Sequence, residues 1–481
     1  MNVTRRCVWL HAVALMALAA VVVGGCSITT RVDVPVHAAT PVGGSTPFAV
    51  SFNGRFVGFQ SMNSNLVNGD TNASGDVFVR DLNLKQTVRM SVRPDGGQIA
   101  GRSTAFGMDE ASDYVIFTTS VALVPGDVNG RADLYVRNRS DSPATTEFVS
   151  VDTTGTPLVG TTSDVTSASI SDSGRYIAFT IQDQAHATPG VAYVRDIIGH
   201  TTRLLGGPAD PRAVAISGDG LHFVVTPWTN SGPNPGPVMV DPTGSTLATR
   251  TFCVGVGVAA ISADGRSVAL TQGQPGSGCV AVDRPSLWDR QTDTIIPLAS
   301  GPTYSLRISG ASRLLDVIAL VDAAVFDHQV VVVDRGRNIT RTVSTGMFGQ
   351  LGNGPSNLGL ISGNGARVVF ASSATNLNDD PAGDPFDHIF VKDALVASIT
   401  GVNPVSIPRG ATTVVTFNGS GLSNASAVWI DGVVVHDLND FSDTVAQSAL
   451  EVPSTLSPGR HDVWVFGGSS GTVCPGCLTV T

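Results

Sequence analysis

Three loops in this chain carry side-chain oxygens at alternating positions, the arrangement from which a short segment can wrap a hard divalent cation. They are Asp70, Asn72 and Asp76; Asp127, Asn129 and Asp133; and Asn378, Asp379 and Asp380 followed by Asp384 and Asp387. Calcium collects about six to eight such oxygens. Asp70, Asn72, Asp76, Asp127, Asn129, Asp133, Asp380 and Asp384 are therefore candidate ligands, and calcium is the one cofactor the sequence brings forward. Each loop lacks the bidentate Glu that closes a strong calcium site. The same Asx residues also cap turns and strand entries, and that reading competes.

Of the six cysteines, Cys7 and Cys26 fall in the first 26 residues, and Cys253, Cys279, Cys474 and Cys477 remain. In an exported chain an even number reads as disulfides. Cys474-Pro475-Gly476-Cys477 also has the spacing of a zinc half-site or a redox dithiol. A zinc site needs two more ligands at metal spacing, and none stands nearby. A reactive dithiol is helped by a helix N-terminus, whereas this segment is β-patterned. A local structural disulfide is expected there. Catalytic motifs are missing: His186, His200, His222, His328, His388 and His436 are scattered, and the sequence offers no Gly-x-Ser-x-Gly nucleophile elbow between a strand and a helix and no His-Glu-x-x-His helix.

These residues sit in a chain that begins as an exported one does. Arg5 and Arg6 precede an apolar run of 16 residues, Val8 to Val23, short of the roughly 20 needed to span a bilayer. A basic start, an apolar stretch and small residues before a cut site make a secretory signal over residues 1–25. Val23-Gly24-Gly25-Cys26 resembles the bacterial lipobox. The resemblance implies that Cys26 is acylated and becomes the mature N-terminus, anchoring the protein to the cell membrane or outer membrane, facing the periplasm or exterior. Charged residues make up only 14% of the chain, and the net charge of −10 argues against a nucleic-acid partner.

The body of the sequence repeats. Ser51–Val92 and Asp109–Val151 are two clear copies, and further copies start near Ser169, Ala215, Ala260, Arg307 and Leu360. A spacing of roughly 45–55 residues is that of propeller blades. Each copy reads as four strands: a short apolar one, a Ser-x-Asp/Asn-Gly turn where Gly supplies φ > 0, an alternating one such as Tyr176–Phe179, a polar loop, then two more. No sustained 3.6-residue period occurs outside the signal, so the chain is expected to be all-β.

Ser171-Asp172-Ser173-Gly174-Arg175-Tyr176-Ile177-Ala178-Phe179 resembles the TolB-like propeller repeat, as do Ser262–Arg266 and Ser217–Gly220. The resemblance implies a propeller of about seven blades over residues 26–396. The seventh unit lacks an outer strand, and Thr29–Val34 mimics Thr87–Val92. The N-terminal strand is therefore expected to complete the last blade and remove an open edge. From Ala397 the register changes. Pro404, Gly419-Ser420-Gly421, Val428-Trp429-Ile430 and Pro458-Gly459 resemble an IPT/TIG immunoglobulin-like domain, residues 397–481, which implies a small β-sandwich.

The loops between second and third strands share a rim with the blade-to-blade connections, opposite the Asp-Gly turns. That long-loop face is the expected binding face. The expected function is a noncatalytic scaffold for envelope proteins or glycans, acting as a monomer held to the membrane by its lipid. The alternative is an extracytoplasmic hydrolase or lyase acting on polysaccharide or peptide from the propeller funnel.

Overall fold

The computed structural model describes residues 29–36, 43–185, 187–206, 210–227, 237–240, 258–271, 286–298, 303–308, 317–322, 328–334, 339–346, 350–378, 386–394, 398–420, 422, 427–430, 433–437, 439–441, 445–454, 456–467 and 470–481. No α-helix occurs among them. Seven small antiparallel sheets come first. Blade 1 comprises Ser45–Val50, Phe56–Ser61, Asp76–Asp81 and Gln86–Arg89, hydrogen-bonded in that order from inside to outside. Blades 2 and 3 repeat this with Ser103–Met108 to Thr145–Phe148 and Ser163–Ile170 to Thr201–Leu204. Blade 4 has three strands among the described residues, Pro211–Ile216, Phe223–Pro227 and Val238–Val240. Blades 5 and 6 run from Val258–Ile261 to Thr294–Pro297 and from Thr303–Ile308 to Ile339–Thr342. The seven inner strands touch one another in a closed cycle, the last, Ser356–Ile361, against the first.

The turn residues of the repeat each have a job. The Ser hydroxyl accepts from the backbone N–H five residues on, as Ser51 does from Phe56 (3.0 Å), Ser171 from Tyr176 (3.1 Å) and Ser362 from Arg367 (2.9 Å). In blade 2 the Asp109 carboxylate takes the place of the hydroxyl, at 2.6 Å from the Tyr114 nitrogen. Gly174 adopts φ +74°, and a Cβ there would overlap the ring of Tyr114 in the preceding blade. The glycine is thus demanded twice, by its dihedral and by close approach. The Arg after it forks onto the Asp that ends the third strand: Arg55 on Asp81 (2.6 Å), Arg175 on Asp196 (2.7 Å), Arg266 on Asp289 (2.7 Å). Each of those Asp residues also accepts two backbone N–H groups of the next turn, Asn83 and Leu84 in blade 1.

Backbone hydrogen bonds join neighbouring blades on both rims. On one rim the turns are chained, Phe52 N–H to Glu110 (3.0 Å), Glu110 to Asp172 (3.2 Å) and Asp172 to Gly218 (3.0 Å), with Asn364 returning to Phe52 (2.9 Å). On the other rim, the N–H at or near the start of the inner strand donates to the carbonyl just before the previous blade's third strand. Ser45 to Asp387, Ser103 to Gly75, Val165 to Ala132 and Ser356 to His328 do so at 2.8–3.0 Å.

Between blades the second strands are buried on both faces, because each sheet packs on two neighbours. Ile177, Ala178 and Phe179 are all fully buried, so the alternation expected for Tyr176–Phe179 is not one of inside and outside. One core joins Ile116, Leu134 and Val136 of blade 2 to Ile177 and Phe179 of blade 3. Burying each such side chain stabilises by about 1.5–3 kcal/mol.

The N-terminal strand closes blade 7, whose order is Thr30–Arg31, His388–Asp393, Arg367–Ser372, Ser356–Ile361. Only Thr30 and Arg31 form the strand, paired with Val391 and Phe390, and Val32 N–H adds a bond to Ile389 (2.7 Å). Met90 makes the same bond to Val77 in blade 1 (2.7 Å), so the sequence mimicry is one of geometry. A further sheet pair follows over residues 398–480, four strands on one side and five on the other. They share a core that includes Val402, Val415, Phe417, Val428, Leu450, Val463 and Leu478.

Candidate functional site

The acidic loops of blades 1 and 2 fold as caps on strand entries. Asn72 turns its amide nitrogen to Asp76 (3.1 Å) and to the Ile99 carbonyl (2.8 Å), while its oxygen accepts from Ser74 N–H (3.0 Å). Asn129 does the same with Asp133 (2.7 Å), Val159 (3.0 Å) and Arg131 N–H (2.7 Å). The Asn oxygens that a cation would need are already used, and the Asn nitrogens point at the carboxylates. Asp76 and Asp133 each take a further hydrogen bond of 2.6 Å, from Ser91 and Ser150, whose hydroxyls accept the strand's own N–H. Among the described residues no three Asp, Glu, His or Cys side chains stand where they could hold a metal. These contacts fit the strand-cap reading for Asn72, Asp76, Asn129 and Asp133, while the buried Oδ1 of Asp127 has no hydrogen-bond partner among the described residues; calcium at Asp70, Asn72, Asp76, Asp127, Asn129 and Asp133 stands as a proposal. Asp380 and Asp384 lie outside the described residues.

The two loops differ in how Asp70 and Asp127 are held. Arg89 places its guanidinium 3.5 Å from Asp70 and 3.6 Å from Asp76. The matching place in blade 2 is Phe148, and there the Tyr135 hydroxyl donates to Asp127 at 2.5 Å. Burial raises the Asp133 carboxyl to about 6, against the two hydrogen bonds that lower it.

The C-terminal cysteines are free thiols. Both lie on Ser470–Val480, where Cys474 pairs with Val463 and a bulge separates that pair from Leu478 opposite His461. Cys474 is a core residue and Cys477 packs on the same core, its thiol raised by burial and by hydrogen bonding to Cys474. In place of the expected Cys474–Cys477 disulfide, the two free thiols lie side by side on one strand. Cys26, Cys253, Cys279 and His186 lie outside the described residues.

On the turn rim, sequence reading treated the Asx residues as turn chemistry and missed an electrostatic feature. Burial raises Glu110 to about 7, helped by the charges of Asp172 and Asp109. Asp172 is raised to about 6 by burial and by Asp219, and Asp109 to about 6 by burial. A Cβ at Gly363 would overlap Glu110, and one at Gly218 would overlap Asp172. The acids are packed into the ring of turns. The signal in sequence was the acid after or at the repeat's Ser, which only the ring closure brings together.

On the long-loop face, blades 7 and 1 leave a cleft of about 400 Å³, lined by Ser45, Thr46, Leu358, Ala371, Phe386 and Asp387 among others. Phe386 and Asp387 end the loop between second and third strands of blade 7, and Ser45 begins blade 1. Leu358 sits in the bulge between Asn357 and Leu360 with φ +52° and 39% of its surface exposed. Most inner strands carry such a bulge, but Leu358 is the only non-glycine residue with positive φ in a described inner strand. An exposed leucine in a left-handed conformation is costly by about 1–3 kcal/mol and concentrates at ligand sites. Asp387 is half-buried, its carboxyl raised by burial against a lowering from His388.

No known family and no curated relative matches the sequence. Among solved structures, an oligogalacturonate lyase in complex with manganese is 8% identical with a TM-score of 0.50, over 77% of this chain and 96% of its own. The fold is a β-propeller. An oligogalacturonate lyase from Vibrio parahaemolyticus is 10% identical at a TM-score of 0.49, over 76% of this chain and 96% of its own. TolB from Acinetobacter baumannii is 13% identical at 0.35, over 71% and 80%. At such identities the likeness speaks to the propeller's fold alone.

Proposed function

We propose that this propeller is a noncatalytic binding scaffold of the bacterial cell envelope, recognising a protein or glycan through its long-loop face. The cleft between blades 7 and 1 carries the reading. It combines an exposed, strained Leu358 with a half-buried carboxylate on an otherwise hydrogen-bonded rim. Strain retained at one exposed position, where six other inner strands avoid it, fits selection for contact rather than for stability. The signal over residues 1–25 and acylation at Cys26 would hold the ring close to a membrane, because Thr30 already pairs within blade 7. Residues 26–396 are read as the propeller and residues 397–481 as an IPT/TIG immunoglobulin-like module.

The full-length protein, recovered from native envelopes by cross-linking and affinity capture, tests this. A specific protein or glycan should co-purify and be lost when Met62 or Val128 on the long-loop face becomes Glu; they are 49% and 86% exposed. Ile198→Glu, on the opposite rim at 65% exposure, should leave capture intact. Recovery of nothing specific, or equal loss with Ile198→Glu, defeats the reading.

A further inference from the structure

The geometry points to a lysine or arginine side chain of a polypeptide partner as the occupant of the cleft between blades 7 and 1. The inference deepens the scaffold reading and rests on the long-loop face being a binding surface. Among the described residues lining the cleft, Asp387 is the only charged one. Among the described residues its carboxylate has no hydrogen-bond or ion-pair partner; only its backbone carbonyl is used, by Ser45 N–H at 2.9 Å. The adjacent His388 lowers that carboxyl by its charge, but its Nδ1 is engaged 2.9 Å from Asp33 and 2.8 Å from Arg31. In the corresponding rim positions of blades 1 and 2 there is no acid at all, but Gly75 and Ala132. The Asp387 charge is therefore particular to this seam and is not part of the repeat.

Beside that carboxylate the cleft has a mixed lining, with Leu358, Ala371 and Phe386 as its apolar members and Ser45 and Thr46 as further polar ones. A half-buried carboxylate costs free energy unless a cation meets it. A long aliphatic stem ending in a cation matches both halves, since Lys and Arg bury their methylenes while the head reaches a polar partner. A cleft of about 400 Å³ admits one such side chain with part of its backbone. A neutral sugar would leave the carboxylate without its counter-charge, and an anionic ligand would be repelled by it and by the net charge of −10.

The test uses the full chain and three probes, N-acetyl-lysine methylamide, the arginine analogue and the norleucine analogue, followed by NMR shift titration. Saturable shifts at residues around the cleft are expected with the two cationic probes, with at least tenfold weaker or no saturation for norleucine. Asp387→Asn should weaken the cationic probes about tenfold while leaving the rest of the spectrum unchanged. Their affinity should also fall as the carboxyl protonates below neutral pH. Equal shifts with norleucine, or unchanged affinity in Asp387→Asn, overturns the inference. If capture from envelopes still succeeds, the scaffold reading survives that result. If the probes bind but no partner is captured, the failure lies with the scaffold reading instead.

Discussion

Glu110 shows how a residue in a repeated turn acquires properties its turn does not supply. Its backbone both donates and accepts among the turns, while its carboxyl lies against Gly363 and is raised to about 7 by burial, helped by the charges of Asp172 and Asp109. The folded state therefore holds a proton that the unfolded chain, with a carboxyl near 4.5, has released. Stability from this group is complete below the unfolded value and is lost as pH rises toward about 7; Asp172 and Asp109, at about 6, add to the same trend. Urea midpoints should fall between pH 5 and pH 8. Glu110→Gln should flatten that slope and stabilise the protein at pH 8 by on the order of 1 kcal/mol, discounted for partial exposure. A midpoint that rises over the same range would contradict the assignment. Gly174 gives a second residue-scale expectation. With φ +74° and the Tyr114 ring against it, Gly174→Ala should cost about 2–4 kcal/mol. Tyr114→Ala, by removing the ring, should recover part of that in the double variant.

At the scale of elements, the seam between third and outer strands follows one pattern with one inversion. Ser91 meets Asp76, Ser150 meets Asp133 and Ser344 meets Gln329, each hydroxyl donating at 2.6 Å. In blade 7 the N-terminal strand brings Asp33 to the serine's place, facing His388 at 2.9 Å, and both side chains are almost fully buried. Arg31 completes the group through Asp33 at 3.2 Å. Asp33→Ala should leave Arg31 and His388 without their carboxylate and destabilise the closure by about 3 kcal/mol. The double variant Asp33→Ser with His388→Asp rebuilds the pattern of blades 1 and 2, and should recover most of the loss. Hydrogen exchange at His388–Asp393 is the readout, since fast exchange there in Asp33→Ala reports an opened seam. Equal exchange in wild type and variant would show that the seam does not depend on this group.

Around the propeller, closure couples the blades, because each inner strand leans on two neighbours and backbone bonds join several neighbouring blades on both rims. Opening the seam at blade 7 should therefore lower the protection of blades 1 and 6 before that of blades 3 and 4, which lie furthest round the ring. Exchange that rises uniformly in all blades, or only in blade 7, would argue against that coupling. The net charge of −10 sets a second expectation at this scale: no retardation of DNA in gel shifts at physiological salt.

What the residues settle alone is local and periodic. Ser-x-Asx-Gly-Arg prescribes a turn with a positive φ, a hydroxyl cap and an Arg for the strand-end Asp, and those rules act within one blade. Repetition of that unit prescribes a ring, and the mimicry of Thr87–Val92 by Thr29–Val34 prescribes its closure. Alternating oxygens look alike in a sequence whether they face a cation or one another. The direction of the Asn72 and Asn129 amides is decided by the strand that follows and by Ile99 and Val159, 27 and 30 residues away. The Cys474–Cys477 spacing likewise could not say that both thiols would lie in a core, free and hydrogen-bonded to one another. The acidic ring at Glu110 and Asp172 and the cleft at Asp387 exist only once blades distant in sequence are neighbours. Their chemistry depends on burial and on charges from other blades, quantities that no stretch of sequence carries by itself.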